Sequence, residues 1–181
     1  MSETRTNLTS RQRLHEYQAM LARRLQEARA KASMDSFLGV QIGDRHWLLS
    51  LGDTGEVLDY QPPARVPLTQ PWYLGLVNAR GTLLGVIDFA LFSGEAPTVG
   101  GVGAKMVVLS KDPQRACAIL VPRVAGLRSL SDLQAVEAVQ EDGLPWQNRA
   151  WRDAQGTLWR ELSVRQLLAD PAFLQVGRSR A

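Results

Sequence analysis

Residues 72–89 read WYLGLVNARGTLLGVIDF. Two apolar runs, Leu74–Val77 and Leu83–Ile87, enclose the polar segment Asn78-Ala79-Arg80-Gly81. Apolar runs on either side of a short break containing Gly predict a β-hairpin. Only Arg80 and Asp88 carry charge here. Either they form a reactive pair, or the hairpin presents a surface to another protein. Asp88 lies just before Phe89-Ala90-Leu91-Phe92, where a carboxylate caps a helix, and no second acid stands near it to make an acid–base pair.

The same texture extends in both directions. FLGVQIGDRHWLLSL, 37–51, is a hairpin about Gly43-Asp44, and GEVLDY, 55–60, is a further strand. QPPARVPLTQP, 61–71, is too rich in proline for a central strand. SGEAPTVGGVG, 93–103, reads as a flexible loop. AKMVVLSKDPQRACAILVPRV, 104–124, predicts a hairpin turning at 111–114, and RAWRDAQGTLWREL, 149–162, another turning at 153–156. SVRQLLADPAFLQ, 163–175, predicts one short helix with Ser163 as N-cap and Pro171 just past its end. Four hairpins and few helices point to small β-barrels.

The N-terminal segment differs. Leu14, Tyr17, Leu21, Leu25 and Ala28 recur at helical spacing through 9–33, and Thr9 with Gln12 has capping-box spacing. This amphipathic helix packs either on its own body or on a partner. Residues 1–34 hold seven cations against three anions, a balance of +4, and the other fourteen cations and fifteen anions leave −1. The sequence pI of about 9.4 therefore reflects a basic arm on a nearly neutral body, which weakens a nucleic-acid reading. The five tryptophans do not alternate with Lys or Arg along one strand, as a stacking platform for bases would require.

Candidate chemistry is sparse. Two separated histidines, His15 and His46, and the single Cys117 offer no zinc cluster. Cys117, between two alanines, reads as a small buried hydrophobe, and one cysteine fits a reducing compartment. GGVGAKM has the wrong spacing for a phosphate loop, with Met106 where Ser or Thr would stand. No apolar run reaches the roughly 20 residues that span a bilayer, and the N-terminus lacks the apolar core of a secretory signal. The reading is a soluble cytoplasmic protein without catalytic, metal-binding or cofactor-binding residues.

In GLVNARGTLLGVIDF, residues Gly75, Asn78, Arg80, Gly81 and Asp88 match, in order and spacing, the core line of the CheW family of bacterial chemosensory adaptors. The resemblance runs from FLGVQIGDRHWLLSLGDTGEVLDY through ACAILVPRV to GTLWRELSVRQLL, about residues 36–170. Trp72, Phe89, Phe92, VAGLRSL and DPAFL resemble the PilI-type branch, which serves type IV pili and twitching motility. The departures are Gly85 for a usual Pro, Ala79 for Leu, Pro122 for Asp, and Pro71 one residue closer to the strand.

The resemblance implies a mainly β, CheW-like fold. Two small five-stranded SH3-like barrels would share an apolar seam, with an N-terminal amphipathic helix and a short C-terminal helix. The implied domains are a helical extension over 1–35 and a CheW-like domain over 36–175, its two barrels dividing near 93–104. The implied function is a non-catalytic adaptor binding the regulatory domain of a CheA-type histidine kinase and the cytoplasmic tip of a chemoreceptor. It would be recruited to membrane-associated receptor arrays without inserting into the membrane. A flagellar adaptor, or a nucleic-acid-binding protein using the basic arm, are the alternatives. Arg80 either caps its own turn or, with Asn78 and Gly81, organises a partner-binding junction. Glu56 and Val57 are a second candidate contact, or ordinary strand residues.

Overall fold

In the computed structural model, residues 20, 35–110, 112, 117–137 and 144–178 are described. The amphipathic stretch 9–33 lies outside them apart from Met20, and so does most of the turn expected at 111–114. In chain order the elements are β1 (Ser36–Ile42), β2 (Arg45–Ser50), β3 (Thr54–Asp59), β4 (Tyr73–Ala79), β5 (Thr82–Ile87) and α1 (Phe89–Phe92). They continue with β6 (Lys105–Leu109), β7 (Cys117–Val121), β8 (Arg123–Ser129), a 3-10 turn at Leu130–Asp132, β9 (Gln134–Val136), β10 (Gln147–Arg152) and β11 (Leu158–Leu162). Two short helices, α2 (Val164–Leu167) and α3 (Pro171–Leu174), follow. The fold is mainly β, and all four expected hairpins form: β1–β2, β4–β5, β6–β7 and β10–β11.

The strands make a six-stranded sheet, β8-β1-β2-β11-β10-β9, and a five-stranded one, β3-β6-β7-β5-β4. Both curl closed. β3 and β4 are opposite edges of the second sheet, yet Ala64, five residues beyond β3, pairs with Leu76 of β4 through N–H···O bonds of 2.8 and 2.9 Å. In the first sheet the edge strands β8 and β9 are joined by a single 3-10 turn. The first barrel thus has six strands, not the expected five. The extra pairing comes from β8 and β9, whose sequences lack clean alternation.

The division expected near 93–104 is not where the sheets part. β6 and β7, beyond that loop, complete the sheet begun by β3–β5, and the chain crosses between sheets at 50–54 and 121–123. A Gly- and Pro-rich segment marks irregular backbone, not a change of pairing partner. The loop itself is pinned: Arg45 pairs with Glu95 at 3.2 Å, and Asp88 accepts from the Thr98 amide and hydroxyl at 2.8 and 2.9 Å.

Strict alternation divides the core three ways. Phe37, Leu48, Leu133 and Trp159 fill the first barrel. Val77, Leu84, Val86, Met106, Val108 and Leu120 fill the second. The opposite faces of the same strands supply the seam between them: Leu38, Val40, Ile42, Trp47 and Leu49 from one sheet, Val107, Leu109, Ile119 and Val121 from the other. Phe89, Trp146, Val164, Leu167 and Phe173 close it. Asp88 caps α1 by accepting from the Leu91 amide, as its position predicts. The C-terminal segment departs from expectation: Ser163 does cap α2, but Pro171 opens a second helix, α3, behind its own cap, Asp170. Proline's fixed φ suits a first helical turn as well as it ends a preceding one.

Candidate functional site

The β4–β5 hairpin pairs Asn78 with Leu83 and Ala79 with Thr82, leaving Arg80-Gly81 as a two-residue turn. Both residues have positive φ, 52° and 88°, the type I′ requirement that matches strand twist. The Asn78 side chain accepts from the Gly81 amide at 2.9 Å. Asn78, and not Arg80, therefore caps the turn, correcting the sequence reading of Arg80. The Arg80 guanidinium points elsewhere: its Nη1 donates to Glu56 Oε2 at 2.8 Å.

That contact joins two of the residues singled out in the sequence. Glu56 lies on β3 and Arg80 on the β4–β5 turn, so the pair bridges two edges that barrel closure brings round. Both side chains remain open, 79% exposed for Arg80 and 53% for Glu56. Val57, next to Glu56, is 43% exposed although it registers with buried Val107 of β6. Glu56, Val57, Asn78, Arg80 and Gly81 are all exposed, and the ion pair ties the two segments together. Leu83, opposite Asn78, was missed in the sequence and is 66% exposed. The signal was available: in Leu83-Leu84, neighbours on a strand point to opposite faces, so one of the two must face outward.

The Arg80 guanidinium is a planar fork of donors, one of them held by the Glu56 carboxylate, and both side chains are open to solvent. Burial pushes the Cys117 thiol up to about 12, so it is protonated at neutral pH and a poor nucleophile. Among the described residues no cluster of three His, Cys, Asp or Glu could hold a metal, and no helix is long and apolar enough to cross a membrane. Trp47, Trp146 and Trp159 are buried, which removes three of five indoles from any base-stacking surface.

The profile of the CheW-like domain matches residues 36–172. The chain belongs to the CheW family. Among characterised relatives, the protein PilI of Pseudomonas aeruginosa is 34% identical over 59 residues, 33% of this chain and 33% of PilI. The chemotaxis protein CheW of Rhizobium meliloti is 24% identical over 98 residues, covering 52% of this chain and 61% of that protein. A probable chemotaxis protein CheW of Rhizobium etli is 22% identical over 95 residues with the same coverage. The chain thus spans less than two thirds of these relatives. Among solved structures, the scaffolding protein TtCheW from Thermoanaerobacter tengcongensis superposes with a TM-score of 0.61 at 14% identity, over 71% of this chain and 88% of that one. At that identity the likeness bears on the fold, and the CheW fold is what the two closed sheets and their seam describe.

Proposed function

We propose that this CheW-family chain is a non-catalytic adaptor coupling a chemoreceptor to a CheA-type histidine kinase in a chemosensory array that controls type IV pili. The carrying observation is that Glu56 and Arg80, from separate elements, meet at 2.8 Å on an exposed surface. The likeness to PilI supports the pilus branch over the flagellar one. Residues 36–175 serve as the adaptor domain and 1–35 as an N-terminal extension to it. The protein works in the cytoplasm at membrane-associated arrays and takes no nucleic acid, metal or cofactor. Its mechanism is geometric. By fixing receptor and kinase at one spacing, it lets a receptor shift bias the kinase between two states, a coupling free energy between two sites.

The test is a binding titration of the full chain against a CheA-type regulatory domain and a receptor cytoplasmic tip. Arg80→Asn keeps a residue suited to the turn and removes the guanidinium. Arginine is enriched among residues dominating interfaces, so the variant should lose about 2 kcal/mol of affinity, roughly thirtyfold, for one partner. A folded variant that binds both partners normally would leave Arg80 as turn architecture. No binding by the wild-type chain to either partner would overturn the adaptor reading.

A further inference from the structure

Two arginines, Arg123 and Arg128, gather at the mouth of the first barrel. Arg123, Gln41, His46 and Trp159 stand opposite one another across β8, β1, β2 and β11, forming one cross-strand row. They share the face of Phe37 and Leu48, the barrel interior. Arg128, five residues after Arg123, should by alternation point to the other face. It does not, because the register slips between Gly39 and Val40, and Gly126 sits at φ 95° in the bulged strand. With Ala125 as the extra residue, Arg128 falls opposite Phe37 on the interior side. Its guanidinium carbon lies 4.8 Å from the centroid of Trp159, and the His46 ring lies 4.9 Å from that indole.

These side chains line an open cleft of about 490 Å³. The carboxylate on its rim, Asp153, is already committed. It accepts from Trp159 Nε1 at 2.9 Å and from the amides of Thr157 and Gln155 at 2.8 and 3.0 Å. Neither Arg123 nor Arg128 is ion-paired among the described residues, and Arg128 Nε is buried with no acceptor. A buried donor without an acceptor is costly, and planar guanidinium forks bind phosphate oxygens two at a time. Barrel mouths are also a recurrent place for ligand sites.

We propose that this cleft binds a phosphate group between Arg123 and Arg128. Two guanidiniums with no ion-pair partner among the described residues, against one committed carboxylate, match a dianion better than a single carboxylate. The site lies on the first barrel and is independent of the Glu56–Arg80 surface on the second.

The test is an NMR titration of the full chain with inorganic phosphate at constant ionic strength, with chloride as reference, following the Arg128 Nε–H and Trp159 indole N–H. Both resonances should shift saturably, with a Kd of about 1 mM or tighter. Acetate should bind at least tenfold more weakly, and phosphate should bind at least tenfold more weakly to Arg123→Gln. Arg123 is exposed, so that variant keeps its fold, as the rest of the spectrum will report. O-phosphoserine binding more tightly than inorganic phosphate would assign the group to a modified side chain, and the reverse to free phosphate. Shifts matched by chloride, or unchanged affinity in Arg123→Gln, would overturn the proposal.

Discussion

Arg80 occupies a position where asparagine or glycine is the ordinary choice. A side chain in the left-handed region costs on the order of 1 kcal/mol. The ion pair with Glu56 returns little, because exposed pairs contribute about 0–1 kcal/mol. Arg80→Asn should therefore leave stability unchanged or raise it by up to about 1 kcal/mol, measured as a urea midpoint. A clear loss would mean that the guanidinium supports the barrel and would weaken the proposal that it serves an interface. Asp153 acts in the opposite sense. The Trp159 indole, with the Thr157 and Gln155 amides, holds its carboxyl below the usual carboxylate range. A lowered native pKa means that Asp153 stabilises the fold above the ordinary carboxylate pKa. That contribution fades as pH falls through the native value. Between about pH 5 and pH 3, Asp153→Asn should lose less stability than the wild type, and equal losses would show that these bonds contribute nothing.

At the level of elements, hairpins were legible because their signal is local. Gly43-Asp44, Arg80-Gly81 and the segment ending at Gly156 each interrupt apolar alternation with a residue suited to positive φ. The helix cap at Asp88 was legible for the same reason. The β8 strand was not, because its Gly126 bulge breaks the period by which strands are recognised. The meeting of Glu56 with Arg80 is hidden as well: both residues stand out in the sequence, but their contact depends on barrel closure. Gly75 is where that closure is most exacting. Its φ is 134°, and a Cβ there would lie 2.2 Å from the carbonyl oxygen of Ala64, in the segment that pairs with β4. Gly75→Ala should cost several kcal/mol, about 3 or more, through strain and loss of the Ala64–Leu76 bonds. Hydrogen exchange at the Ala64 and Leu76 amides would read it directly. Unchanged protection with wild-type stability would show that closure does not depend on this glycine.

For the described body as a whole, connectivity sets the behaviour. β3–β7 form an insertion between β2 and β8, so the first barrel is completed by strands on both sides of the second. The parallel pairing of β2 with β11, His46 opposite Trp159, has no local signal in the sequence at all. Since the two faces of β1, β2, β6 and β7 serve different cores, the seam residues belong to both barrels at once. Trp146, 1% exposed, packs on Trp47 of the first barrel's wall and on Phe89, which follows the second barrel's β5. Trp146→Ala should therefore cost about 3–5 kcal/mol, the usual range for emptying a large aromatic site. The loss should lower both barrels together in one cooperative transition, as two-state unfolding requires. Denaturant titration followed by hydrogen exchange in β2 and in β7 separates the possibilities. Coincident midpoints, both shifted, mean that the seam welds the barrels into one unit. If β7 kept its wild-type midpoint while β2 unfolded early, the second barrel would be an independent insertion, and an adaptor built on it could not transmit strain through the seam.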